Sequence, residues 1–361
     1  MRPIRPADQP KVRIDLYSDT GTLPTQEMRE FMCSAEVGDD QKGEDPTVNR
    51  LQDMVADLLG KEAAVLLPSG TMCNQIAFAV HCNPGDIVLC DRTAHPLHSE
   101  AGGVASLAGV TLYPVDGPRG QFTPEQLLEE MDPPTRYWPG ISGISVEQTT
   151  NGPGGLIWPL EQMRAVCAMA REQGAITHMD GARLLNAVVA TGISARDYAE
   201  SFDSAWIDLS KGLGAPVGGV LAGSGEFIDA AWRWKQRIGG AMRQAGFIAA
   251  AGIYALEHNV ERLAEDHRHA RILAEELAAC PGIQINPDQV ETNMVRFDVG
   301  ELGLTAKEFA DRLLRQSGVR VSAPGRTRVR MIPCLGIEEA HVREAAGAIR
   351  TLADQLSAAA A

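Results

Sequence analysis

The chain has 361 residues, 44% of them hydrophobic and 22% charged, enough for a sizeable core and more than one domain. A net charge of −14 excludes a nucleic-acid backbone as a general partner. Arg2, Arg5, Lys11 and Arg13 are followed by no apolar segment of the secretory kind, and no apolar run is long enough to span a membrane.

In chain order, residues 1–25 read as an extended N-terminal arm. Thr25 is a candidate N-cap for a helix, and Asp45-Pro46-Thr47 opens another, with Val48, Leu51, Met54, Val55, Leu58 and Leu59 on one face. Ala63–Pro68 reads as a buried strand, Ser69-Gly70-Thr71 as a turn, and Met72–His81 as a helix. Strands follow at Ile87–Cys90, Val110–Tyr113, Ile141–Glu147, Ala175–Met179, Ser204–Leu209 and Gly218–Ala222, with helices such as Leu160–Gln173 between them. The alternation predicts an α/β fold, a mostly parallel sheet between helices. From Gln244 to Ala279 the period is helical and nearly continuous. Thr292–Val299, Lys307–Ser317, Arg328–Ile332 and Glu338–Leu356 then read strand–helix–strand–helix, a smaller α+β domain. The predicted division is an arm at 1–25, a large domain at 26–262 and a small C-terminal domain at 263–361. Ala358–Ala361 is a simple tail expected to fray.

Seven cysteines, odd in number, widely spaced and set among apolar neighbours, point to reduced buried thiols and a cytoplasmic location. No cysteine pair has zinc-finger spacing, and His178, His95 and His98 form no recognisable metal set, so no metal is expected.

The chemistry concentrates in Ser210-Lys211-Gly212-Leu213-Gly214-Ala215-Pro216. A single lysine sits on a glycine-rich corner between two apolar strands, where desolvation would expose its amine for Schiff-base chemistry; the alternative is a lysine snorkelling from a loop. Asp180 and Arg183 stand at the carboxyl end of another strand, where open α/β sheets bind ligands. An acid, an arginine and a lysine on one rim suit pyridoxal phosphate (PLP), the lysine bonding the aldehyde carbon and the acid keeping the pyridine nitrogen protonated. Ser69-Gly70-Thr71, between strand and helix, has the chemistry of a phosphate cup or of an ordinary helix cap.

These segments resemble the low-specificity L-threonine aldolases, fold-type I PLP enzymes of the β-eliminating lyase group. The resemblance runs through Asp15-Leu16-Tyr17-Ser18-Asp19-Thr20, Gly43-Glu44-Asp45-Pro46-Thr47-Val48-Asn49, Pro68-Ser69-Gly70-Thr71-Met72, Ala94-His95 and Glu100-Ala101-Gly102-Gly103. It continues through His178–Arg183, Leu209–Pro216 and Gly239-Gly240-Ala241-Met242-Arg243-Gln244. It implies that Ser69, Gly70 and Thr71 hold the phosphate. It also implies that His95 stacks on the ring and assists proton transfer, that Asp180 meets the ring nitrogen, and that Arg183 meets the substrate carboxylate or the ring hydroxyl. Lys211 carries the cofactor, Arg243 reaches a neighbouring subunit's phosphate in a homodimer or homotetramer, and Ser18 and Arg330 take the substrate carboxylate. The implied reaction is retro-aldol cleavage of a β-hydroxy-α-amino acid to glycine and an aldehyde. A β-elimination would use the same cup, acid and lysine, whereas a non-catalytic binding protein would not need Lys211.

The chain departs from the family at Tyr17, where arginine is usual, at Lys42, where tyrosine is usual, and at Thr150, which stands in place of a second active-site histidine. Met331-Ile332-Pro333-Cys334 likewise replaces a segment ending in Thr-His. If Lys42 and Thr150 face the distal pocket, a polar or acidic β-substituent is expected to be preferred to a methyl.

Overall fold

The computed structural model describes residues 10–360, with side chains through Ala358. Arg2, Arg5 and Ala361 lie outside the described residues. The chain forms two units, Met1–Leu23 with Arg262–Ala361, and Pro24–Glu261.

The first strand, β1 (Ile14–Asp15), belongs to the smaller unit. The larger unit holds β2 (Ala63–Leu67), β3 (Ile87–Asp91), β4 (Thr111–Val115), β5 (Ile141–Glu147), β6 (Ile176–Gly181), β7 (Ser204–Asp208) and β8 (Gly219–Gly223). They form one sheet in the order β2-β8-β7-β6-β5-β3-β4. All run parallel except β8, which is antiparallel to both neighbours. The cause lies in the connection: only the corner Leu209–Gly218 joins β7 to β8, too short for a helical crossover. β3 lies between β4 and β5, so the chain reverses its direction of travel across the sheet there. Such a switch point, at the carboxyl ends of the strands, is where open α/β sheets bind ligands.

Local chemistry explains the helices beside this edge. Asp45 caps Pro46–Leu59 by accepting from the N–H groups of Thr47 and Val48, and its proline at the first position lacks only an N–H the helix would not use. Helix Gly70–His81 starts at Gly70 rather than Met72, because the Ser69 hydroxyl accepts from Met72 N–H and draws Gly70 and Thr71 into the first turn. Its Cys73, Ile76 and Ala77 pack with Val65, Trp206 and Leu221.

The smaller unit pairs β9 (Val295–Asp298) antiparallel with β11 (Arg328–Met331), and β1 parallel with β10 (Val319–Arg320). The segment before Leu23 therefore joins a sheet with the C-terminal part of the chain, and Arg320 ion-pairs with Asp15 beside that pairing. Helices Leu263–Ala278, Ala306–Ser317 and Glu339–Ala360 cover a core that includes Leu16, Leu273, Phe297, Phe309, Val329 and Ile349. The nearly continuous helical period from Gln244 to Ala279 is two helices, Gly246–His258 and Leu263–Ala278, with Asn259 closing the first.

Candidate active site

Asp208, the last residue of β7, builds the lysine corner. Its Oδ1 accepts from Ser210 N–H at 2.7 Å, the Ser210 hydroxyl at 2.6 Å and Lys211 N–H at 3.1 Å, a side-chain-closed turn. Gly212 and Gly214, at φ of 70° and 85°, take left-handed conformations that a side chain would resist. The buried Asn259 ties the same corner down: its Nδ2 donates to the Leu213 carbonyl at 2.7 Å. Lys211 Nζ stands 3.3 Å from Asp208 Oδ2 and 5.6 Å from the centroid of the Trp206 ring. The amine is largely buried, as the apolar strands on either side of the corner suggest, and it is paired with a carboxylate. Sequence reasoning misses Asp208, although an acid followed two residues on by a serine is itself a turn signal.

Asp180, on β6, is 1% exposed and lies in register between Glu147 on β5 and Trp206 on β7. Its Oδ1 accepts from Ala182 N–H at 3.0 Å and its Oδ2 from Asn74 Nδ2 at 2.9 Å. Glu147, at the end of an apolar strand, carries no motif that singles it out in the sequence. Burial, then the neighbouring Asp180, pushes its carboxyl up, while Arg183 and Lys211 pull it down. Glu147, Asp180, Arg183 and Lys211 thus stand at the ends of the adjacent strands β5, β6 and β7, on the carboxyl edge of the sheet.

His95 begins the short helix that follows β3, and its Nδ1 lies 2.9 Å from Glu100 Oε1. The ring is partly exposed, whereas the Glu100 side chain is fully buried. Burial pushes the Glu100 carboxyl up, against hydrogen bonds from His95 and Asn74. His98 is exposed and bonds the Arg92 carbonyl, away from this set.

Gly70 shows why the cup needs glycine: a Cβ there would lie 2.2 Å from the Trp206 ring. Gly70→Ala is expected to cost about 1–3 kcal/mol by overpacking. Urea unfolding of the apoprotein measures this, and an unchanged midpoint would contradict it.

Arg183 is buried, with its N–H donating to the Gln148 carbonyl. Arg243 is more than half exposed and pairs with Asp39 at 3.0 Å, while its carbonyl accepts from Asp40 N–H. Lys42 is exposed, 4.0 Å from the same Asp39. Thr150 is buried and bonds within its own loop, donating N–H to the Leu156 carbonyl at 3.0 Å. In the smaller unit, the Ser18 hydroxyl caps the turn Asp19–Gly21, and Arg330 Nε donates to Ser322 Oγ at 3.1 Å. Directly opposite Arg330 on β9 is Arg296, pushed down to about 10 by burial and then by Arg328 and Arg330. Among the described residues no cluster of histidine, cysteine and acidic side chains could hold a metal ion.

Residues 15–299 match the beta-eliminating lyase family. The chain belongs to that family. Members similar to it include the low specificity L-threonine aldolase of Escherichia coli K12, 43% identical over 289 residues that cover 80% of this chain and 85% of that one. The low-specificity L-threonine aldolase 1 of Arabidopsis thaliana is 38% identical over 323 residues, covering 88% and 90%. Among solved structures, a putative L-allo-threonine aldolase from Listeria monocytogenes aligns with a TM-score of 0.79 at 22% identity, covering 94% of this chain and 96% of the other. The threonine aldolase of Leishmania major aligns at 0.78 with 18% identity, covering 94% and 100%. These two establish the shared fold-type I architecture. The beta-eliminating lyase family is PLP-dependent, and the donor set of this family member fits that cofactor: a buried acid at a strand end, a lysine on the adjoining corner and a capped helix N-terminus.

Proposed function

We propose that this chain uses PLP to cleave a β-hydroxy-α-amino acid such as L-threonine or L-allo-threonine into glycine and an aldehyde. The observation that carries the reading is that Asp180, Arg183 and Lys211 stand at the ends of the neighbouring strands β6 and β7, on one edge of the sheet, in a chain 43% identical to a curated threonine aldolase. When bound, PLP supplies an aldehyde for the Lys211 amine and a ring that withdraws electrons from the substrate Cα.

The chain's own residues do the rest. The N–H groups of the first turn at Ser69, Gly70 and Thr71 receive the phosphate, favoured by the helix dipole. Asp180, fixed by two donors, would receive the ring N–H. His95 would lie against the ring face, and its Nε2 would take the proton from the β-hydroxyl as the Cα–Cβ bond breaks. The electron pair stays with Cα, the β-oxygen becomes a carbonyl, and a proton returned to Cα gives glycine. Arg183 holds the substrate carboxylate or the ring hydroxyl, and Ser18 and Arg330 bind the carboxylate, roles supported by the resemblance and by the fit of guanidinium to carboxylate. Arg243, exposed on its loop, serves the phosphate of a second copy in a homodimer or homotetramer. Seven free cysteines, six of them buried, support a reducing compartment such as the cytoplasm. No described helix is long and apolar enough to cross a membrane.

The test is to incubate the PLP-loaded protein with L-threonine, L-allo-threonine and L-serine and to assay both product classes. Glycine with acetaldehyde from the threonines is the expected result. Ammonia with a 2-oxo acid would establish β-elimination instead.

A further inference from the structure

Asn74 lies on the buried face of helix Gly70–His81 and uses its whole amide. Nδ2 donates to Glu100 Oε1 at 2.7 Å and to Asp180 Oδ2 at 2.9 Å. Oδ1 accepts from Trp206 Nε1 at 2.8 Å and faces His178 Nε2 at 3.1 Å. The orientation of the amide is not arbitrary. An indole N–H can only donate, so the oxygen must face Trp206, and the NH2 must face the two carboxyl groups. His178 is wholly buried, and burial pushes it down to about 3, so it is neutral. Facing the same oxygen, its Nε2 carries the hydrogen. Its Nδ1 then accepts from the Ser204 hydroxyl at 2.8 Å, and Ser204 Oγ accepts from His81 Nε2, also at 2.8 Å. Burial pushes His81 down to about 4, which keeps that ring neutral as well. A chain of neutral donors thus backs the amide and locks it in one sense.

We propose that Asn74 is a positioning residue that sets both acid–base groups of the reaction through one nitrogen, holding Asp180 for the ring nitrogen and Glu100 behind His95. The inference rests on the PLP reading above. Glu100 has no other fixed anchor: Oε1 accepts from Asn74 and His95, and no donor among the described residues reaches Oε2. Held there, Glu100 Oε1 accepts a hydrogen bond from His95 Nδ1–H and leaves the Nε2 lone pair for the substrate hydroxyl. When Nε2 gains that proton, the imidazolium faces a carboxylate already in place. The same amide sets a donor between Glu100 and Asp180, two buried acids that would otherwise repel each other. Removing it leaves each acid short of a hydrogen bond, and the pair would relieve itself by binding a proton or turning Glu100 away from His95.

The test compares wild type, Asn74→Ala and Glu100→Gln. Long-range 15N spectra of the apoprotein report which ring nitrogen of His95 carries the hydrogen. Wild type is expected to show Nδ1–H, and both variants are expected to lose that single tautomer, although Asn74 does not itself bond His95. In the loaded enzyme, Asn74→Ala is expected to lower kcat by about 100-fold or more with KM nearly unchanged, as loss of an acid–base contribution would. An Asn74→Ala protein that keeps the His95 tautomer and kcat and loses only thermal stability would overturn the proposal. Should that variant fail to fold, wild type alone decides through His178. Neutral Nε2–H between pH 5 and 8 supports the clamp, and Nδ1–H would mean that the amide is reversed and no clamp exists. Wild type that fails to cleave either threonine would refute the proposed function while leaving the tautomer result standing.

Discussion

Lys211→Ala is expected to abolish turnover, a fall in kcat of at least about 10⁴-fold, while the protein still folds and binds PLP without a covalent link. The fold survives because the Lys211 ammonium is not what closes the corner. Asp208 Oδ1 keeps its bonds from Ser210 N–H, the Ser210 hydroxyl and the N–H of residue 211, and Asn259 keeps the Leu213 carbonyl. The helix N-terminus at Gly70 and the buried Asp180 are also untouched. Two measurements separate these effects. Borohydride treatment should bleach the visible absorbance of wild-type holoenzyme and label it irreversibly, but should leave no label on the variant. Equilibrium dialysis should show PLP still bound. A variant that turns over threonine near the wild-type rate would remove Lys211 from the chemistry and with it the cofactor assignment.

The lysine corner can be read from the sequence because its chemistry is local: serine, lysine and glycines within a few residues of two apolar strands. The same is true of Asp45 and Ser69, whose side chains cap helices that begin beside them. Asp180 and Arg183 are visible for a similar reason, as polar residues ending an apolar strand. Asn74 is not, because its partners Glu100, Asp180, His178 and Trp206 come together only when β6, β7 and the helix after β2 pack against one another. Its one sequence signal is a carboxamide between Cys73 and Ile76 on the apolar face of a helix. The second-histidine position shows the opposite limit. Thr150 reads as a lost catalytic side chain, yet its backbone and hydroxyl are engaged with Leu156 in the loop after β5. Lys42 stands exposed beside Asp39. The pairing of β1 with β10 joins opposite ends of the sequence, and no local period reports such a partner.

Lys235 is a further residue whose sequence context misleads, since a lysine near the end of the amphipathic helix Gly225–Arg237 reads as solvent-facing. It is fully buried instead. Its Nζ donates to Asp40 Oδ2 at 2.8 Å and stands 3.8 Å from the centroid of the Trp232 ring. Burial pushes the ammonium down, and Asp40 pulls it back. The pair ties the segment around Asp40 to the end of the helix, where the Lys235 carbonyl accepts from Gly240 N–H and Asp40 N–H donates to the Arg243 carbonyl. Asp40→Ala should therefore destabilise the protein by about 3–5 kcal/mol, because it strands a buried cation rather than merely deleting one attraction. Asp40→Leu combined with Lys235→Met should recover much of that loss, since an apolar pair of similar volume leaves no charge to desolvate. Urea unfolding of the single and double variants measures both values. A single variant within about 1 kcal/mol of wild type would mean that Lys235 reaches water or sheds its proton at little cost. A double variant no better than the single would show that the Asp40 carboxylate holds the loop through its geometry, and that charge burial is the smaller part of the effect.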